Sequence, residues 1–338
     1  YLILRGLATL PFPHWRRAST TSERPEVGRI AWHGPRPPVG VARHQPSPRE
    51  LQEQAILRMA MPERVCIVTG GNSGIGFELC RGMATAGFHV VMGSRGAKRG
   101  QPALEQLQAE FGDSVEMMLC DMSDLSNIAK LHAEFTAKFD RLDILLNNAG
   151  AMWGHREKTA QGHEMTFGVN HLGYFVMTQT FLSLLESTEN SRIINTASEA
   201  HKMANLKLDN LNRENKRYSQ WRTYGNSKLC NILFTRELAR KLEGTGIITH
   251  CFHPGVVRTR FGSGSSGPMR LFWPLFRPFM IGSKRGASTG LHLALSEDAG
   301  STTGEYWARS KRNRGNRHAR NDDNATKLWE LSEGMLNE

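Results

Sequence analysis

A doubly wound α/β fold, one parallel sheet with helices on both faces, is predicted for this chain from three observations. Short β-branched apolar runs alternate with longer amphipathic stretches, a glycine-rich turn separates the first run from the first helix, and a hydrophobic fraction of 39% over 338 residues suffices for a substantial core. Alternation of this kind winds parallel strands through right-handed helical crossovers.

The first sixty residues precede that pattern. They hold nine Arg and four Glu with no Lys or Asp, are rich in Pro and Ser, and keep neither a helical nor a strand period. Residues 1–60 therefore read as a disordered or targeting extension. The absence of acids before Glu23, with Arg5, Arg16 and Arg17 beside apolar residues, is the composition of an organelle transit peptide. A linker, or an extension ahead of a natural start at Met61, fits the same residues.

From Arg64 on, strands are expected at 65–68, 89–92, 115–119, 142–146, 192–195 and 247–252, with a helix over 77–86 after the glycine turn. One domain is expected over 61–308, of the Rossmann type, followed over 309–338 by a basic loop and a last helix ending near Leu336. Arg309, Lys311, Arg312, Arg314, Arg317 and Arg320 supply much of the net charge of +11. The run reads as a solvated loop, and no nucleic-acid partner is expected. Five widely spaced cysteines without a CxxC pair point to buried, reduced thiols in a reducing intracellular compartment, cytoplasmic or at a membrane surface, and give no metal site. No apolar run approaches the roughly 18–20 residues that span a bilayer.

The turn Thr69-Gly70-Gly71-Asn72-Ser73-Gly74-Ile75-Gly76 lies between strand and helix. Glycines there let the backbone approach a pyrophosphate, whose charge is favoured at a helix N-terminus. At the end of the second strand, where an NAD site offers a carboxylate to the ribose, the chain reads Gly93-Ser94-Arg95, with Lys98 and Arg99 following. With no acid present, and a guanidinium suited to a 2′-phosphate, the cofactor expected is NADP(H) over NAD(H).

Tyr224 and Lys228 stand four apart in a helical stretch and share one face. A phenol near pH 10 is a poor base, and a neighbouring cation lowers that value, so Lys228 is expected to make Tyr224 usable as a general acid/base. Ser198 ends the strand-like run Arg192-Ile193-Ile194-Asn195-Thr196-Ala197 at the carboxyl edge of the sheet, with Thr196 as its nearest competitor.

Taken in order, Thr69 to Gly76, Asp121, Asn147-Asn148-Ala149-Gly150, Asn170, Ser198, Tyr224-x3-Lys228 and Pro254-Gly255 resemble the short-chain dehydrogenase/reductase family over about 64–308. The resemblance implies hydride transfer between a nicotinamide and an alcohol or carbonyl. It makes Tyr224 the proton donor or acceptor, Ser198 the partner of the substrate oxygen, and Lys228 a ligand of the nicotinamide ribose; Asn170 joins a water-linked proton relay. It also implies cofactor contacts from Gly70, Asn72, Ser73, Gly74, Ile75, Gly76, Ser94, Arg95, Asp121, Asn148, Ala149, Gly150, Tyr224, Lys228, Pro254, Gly255, Val257 and Thr259. The Asp121 carboxylate could equally cap a turn, and Asn170 could equally bond backbone across a bent helix.

The stretches 72–78, 227–234, 253–257 and 328–332 are similar to the retinol dehydrogenase and WW-domain oxidoreductase branch, which implies a lipophilic substrate such as a retinoid, steroid or long-chain aldehyde. The aromatic segment between Thr259 and Gly282 suits an apolar lid, a peripheral membrane contact over 268–285 with Arg270, Arg277, Lys284 and Arg285 at headgroups, or plain core packing. A non-catalytic dinucleotide-binding scaffold is the alternative function. The sequence carries no signal for oligomeric state or reaction direction.

Overall fold

Val65, Cys66, Ile67, Val68 and Thr69 are all buried and form β1 (Val65–Thr69), as a strand covered on both faces requires. In the computed structural model, which describes residues 64–212, 214, 217–255, 257 and 281–337, the elements after it alternate. They are α1 (Gly74–Thr85), β2 (His89–Ser94), α2 (Ala97–Phe111), β3 (Val115–Leu119), α3 (Ser126–Thr136), β4 (Ile144–Asn147), α4 (Gly173–Glu186), β5 (Arg192–Thr196), α5 (Gln220–Lys241), β6 (Ile248–His253), α6 (Ser283–Leu295), β7 (Glu305–Ala308), β8 (Lys311–Arg312) and α7 (Asp322–Asn337).

The strands form one sheet in the order β3-β2-β1-β4-β5-β6-β7-β8. Every neighbouring pair is parallel except β7 with β8. The chain therefore has the expected doubly wound architecture, with the strand order reversing between β1 and β4. Ligands of such sheets bind in the crevice that opens there, beyond the carboxyl ends of the strands.

Several boundaries differ from the sequence expectation, those of β1, β2, β5 and β6 by one or two residues. Helix α1 starts at Gly74, three residues before 77, because the last glycines of the turn form its first helical residues. Strand β4 starts at Ile144; just before it, Leu142 N–H donates to Thr188 Oγ1 at 3.1 Å and the Asp143 carboxylate accepts the Val65 N–H at 2.9 Å, so side chains take up the backbone groups there. The basic stretch expected to be a loop contains β8, joined to β7 by a two-residue turn, and a short 3₁₀ turn at His318–Arg320.

One apolar layer packs α1 and α6 against the sheet through Leu79, Met83, Phe252, Leu293 and Trp307. On the other face α7 closes over α4 and α5. Its Trp329 stacks on Phe234 at 5.7 Å and 16° and meets Phe175 edge-on at 4.8 Å. All five cysteines are buried and unpaired, and burial raises the thiol of Cys120 to about 12. Among the described residues no helix is long and apolar enough to cross a membrane. Residues 1–60, Thr259 and the 268–280 part of the aromatic segment lie outside the described residues.

Candidate active site

The glycine turn follows β1 directly, and Gly71 N–H donates to Gly93 O at 3.0 Å, which ties the turn to β2. Gly70 lies at φ +66, where a Cβ would stand 2.9 Å from Ala149 Cα. A Cβ on Gly76 would stand 2.1 Å from Gly70 O and 2.6 Å from Asn148 Nδ2. The turn is thus folded against the Asn148-Ala149-Gly150 stretch, with no room for side chains at either position. Ser73 has an extended backbone and makes no side-chain cap, so the first N–H groups of α1 are left to an incoming anion.

Thr69, which the sequence offers only as the start of the motif, holds the two strands' ends together. Its Oγ1 accepts from Asn148 N at 2.9 Å and Ala149 N at 3.0 Å, while Asn148 Nδ2 donates to Thr69 O at 3.0 Å. Ile75 packs toward Val257 and Gly286, and a Cβ on Gly255 at φ +90 would stand 2.5 Å from Ile281 Cδ1. Val257 thereby meets α6 beside the same turn, and Gly255 faces Ile281 just before that helix.

Beyond β2 a cavity of about 460 Å³ is lined by Arg95, Gly96, Ala97, Lys98, Arg99 and Asp121. Arg95, Lys98 and Arg99 are exposed, whereas Ser94 is buried and its hydroxyl donates to Gly96 O at 3.2 Å. Asn72 Nδ2 reaches Arg99 O at 3.5 Å. Asp121 borders the cavity, and its Oδ1 accepts from Ser123 N at 2.9 Å and Ser123 Oγ at 2.8 Å, which is its turn-capping reading.

Ser198, Tyr224, Lys228 and Asn170 meet near the ends of β4 and β5. Lys228 Nζ donates to Thr196 O at 2.9 Å and stands 5.5 Å from the Tyr174 ring centroid and 5.7 Å from that of Tyr224. The Tyr224 hydroxyl is hydrogen-bonded to Ser198. Thr196, the competitor for that role, turns its hydroxyl toward Tyr174 instead. A Cβ on Gly150 would stand 3.0 Å from Asn170 Oδ1 and 3.5 Å from Lys228 Nζ, so these residues converge on one spot.

Asn170 sits in a π-helical turn, Gly168–Leu172, that leads into α4. Such widened turns are frequent at functional sites. Its Nδ2 donates to Ala151 O and Ser227 Oγ, each at 3.0 Å, and its Oδ1 accepts from Ala151 N at 2.9 Å. The amide thus ties the π-turn to Ala151 and to Ser227 of α5, which is the backbone-bonding reading of Asn170. Ser227, Asn231 and Tyr174 were not singled out by sequence reasoning; the first two flank Lys228 on its helix at −1 and +3, which is the signal that could have found them.

One electrostatic expectation is corrected. Burial pushes the Tyr224 phenol up to about 12, partly offset by the Ser198 hydrogen bond. Burial likewise drives the Lys228 ammonium down to about 7, and its Nζ donates to Thr196 O.

A Rossmann-type sheet with a glycine turn at its switch point and a Ser, Tyr and Lys cluster at the same edge defines a dinucleotide-binding α/β protein. The short chain dehydrogenase family profile matches residues 64–267. The chain belongs to this family. It is similar to retinol dehydrogenase 12 of Homo sapiens, at 39% identity over 294 residues covering 86% of this chain and 92% of the relative. Retinol dehydrogenase 14 of Mus musculus is 36% identical over 291 residues, covering 82% and 86%. Among solved structures, an RhlG/NADP active-site complex of Pseudomonas aeruginosa superposes with a TM-score of 0.59 at 26% identity, covering 72% of this chain and 94% of that one.

Proposed function

We propose that the protein is an NADP(H)-dependent oxidoreductase that interconverts lipophilic alcohols and carbonyls, of retinoid, steroid or long-chain aldehyde type, with Tyr224 as general acid/base. The observation that carries this reading is the hydrogen-bonded Ser198–Tyr224 pair with Lys228 buried beside it, at the sheet edge where the glycine turn opens. The resemblance to retinol dehydrogenases supports the apolar substrate class.

The chain's own residues fit the dinucleotide. The cradle at Gly70 and Gly76, too tight for side chains, together with the open N-terminus of α1, would hold the pyrophosphate. The cavity with Arg95, Lys98 and Arg99 offers cations and no carboxylate near the ribose except Asp121, which is engaged by Ser123; this favours a 2′-phosphate. Lys228 would hold the nicotinamide ribose, and Thr259 is assigned to the carboxamide by the family pattern alone. When bound, the nicotinamide supplies or accepts the hydride.

Ser198 and Tyr224 then direct two hydroxyls to the substrate oxygen, where negative charge grows during reduction, an arrangement that lowers such barriers by several kcal/mol. Tyr224 gives its proton to that oxygen, or takes one in oxidation. Its value of about 12 suits a residue that starts reduction protonated. The proton is replaced along Lys228 and the turn carrying Asn170.

A panel of retinal, steroid ketones and long-chain aldehydes, assayed with NADPH and with NADH, tests the reading. Tyr224→Phe is expected to lower turnover by orders of magnitude while NADPH binding persists, and near-normal turnover would refute the acid/base role. Arg95→Ala is expected to weaken NADPH about tenfold or more and to spare NADH; equal losses for both would refute the phosphate assignment.

A further inference from the structure

A buried polar path leaves the Lys228 cluster on the side away from the cofactor cradle and ends on the last helix of the chain. Asn231 Nδ2 donates at 3.1 Å to Thr196 O, the same carbonyl that orients Lys228 Nζ. Asn231 lies beside His171, the residue after Asn170 in the π-turn. On its other side His171 Nε2 lies 3.0 Å from Ser332 Oγ on α7. Asn231, His171 and Ser332 are each completely buried.

Burial drives the His171 imidazole down to about 3, so it is neutral at any working pH. Ser332 Oγ donates to Leu328 O at 2.7 Å, so its oxygen accepts from His171 Nε2–H and the neutral ring bonds to α7 in that tautomer. Its Nδ1 and Asn231 Oδ1 are both buried without a hydrogen-bond partner among the described residues, so the Ser332 contact is the hydrogen bond that holds the ring. The ring is held at 5.2 Å from Phe167 and edge-on at 5.9 Å to Phe234, which itself lies under Trp329.

We infer that His171 and Ser332 are positioning residues: they fasten the π-turn presenting Asn170 to the C-terminal helix α7, beside the Asn231 that shares the Thr196 carbonyl with Lys228. The inference rests on the reading of Tyr224, Lys228 and Asn170 given above. Neither residue touches the reacting atoms. Their effect is on how narrowly the turn is held, and misplacement of such groups costs turnover more than cofactor affinity.

The test uses the full chain with NADPH, retinal and decanal as carbonyl probes, and amide exchange of segment 165–175 as a readout independent of turnover. Ser332→Ala is expected to speed exchange at 168–172 and to lower kcat, each about tenfold, the effect of one buried hydrogen bond. KM for NADPH should stay within about twofold, the melting temperature should change little, and Ser332→Thr should recover both exchange and kcat. Accelerated exchange supports the link whether or not the probes are turned over. Unchanged exchange overturns it, as does a kcat loss that follows the melting temperature and is not recovered by Ser332→Thr. Tyr224→Phe assayed alongside separates the two claims: an active Tyr224→Phe refutes the proposed function, whereas an inactive one beside an unimpaired Ser332→Ala refutes only the positioning role.

Discussion

Lys228 is the residue whose protonation the fold changes most usefully, from an ordinary ammonium to one near 7, with burial as the cause. Below about 7 the folded chain carries a buried charge that the unfolded chain carries in water. Between there and the ordinary 10.5 only the unfolded chain is protonated, so this group makes stability rise with pH across that window. The buried thiols act oppositely above the ordinary thiol value of 9.0, because burial holds them protonated when the unfolded chain ionises. Comparing urea unfolding of wild type with Lys228→Met cancels the thiols. The variant should hold its largest relative advantage near pH 7 and lose it steadily toward pH 10; a difference that does not vary with pH would mean that Lys228 is not desolvated.

At the scale of elements, what the sequence made legible was set by local chemistry. The glycine turn, Tyr224 with Lys228, and Arg95 after β2 could be read because each residue type answers a local demand of backbone or charge. The start of α1 was read three residues late because glycines score as turn formers even where they open a helix. The β7–β8 hairpin went unread for a related reason. Its two turn residues, Arg309 at φ 54 and Ser310 at φ 55, occupy the left-handed conformation of a type I′ turn without the Asn-Gly signal that usually announces one. Each is strained there, and the Ser310 N–H is compensated by Thr289 Oγ1 at 3.1 Å. Arg309→Asn with Ser310→Gly keeps that N–H and removes the strain, so it should stabilise the protein by about 1 kcal/mol or more in denaturant unfolding. No gain would argue against a type I′ turn at this hairpin.

For the molecule as a whole, the parallel winding followed from alternation, since right-handed crossovers wind successive strands the same way, whereas the strand order is seen only in the pairing itself. The closure of the opposite face did not follow either, because it depends on contacts far apart in sequence. His171 and Ser332 are 161 residues apart, and nothing local to either foretells the pair. The same holds for Trp329, which is 2% exposed and packed on Phe175 and Phe234, aromatic residues of α4 and α5. Removing a fully packed indole costs about 3–5 kcal/mol, a large part of the roughly 5–15 kcal/mol that stabilises a domain. Trp329→Ala should therefore lower the unfolding midpoint strongly, and Trp329→Phe, which keeps a ring against Phe234, much less. Ser332→Ala, one turn further along the same helix, is expected to reduce turnover with little effect on that midpoint. If both substitutions lowered stability and turnover in the same proportion, α7 would be a cover for the core and nothing more; a split between them would mean that the helix both seals the apolar face and holds the π-turn.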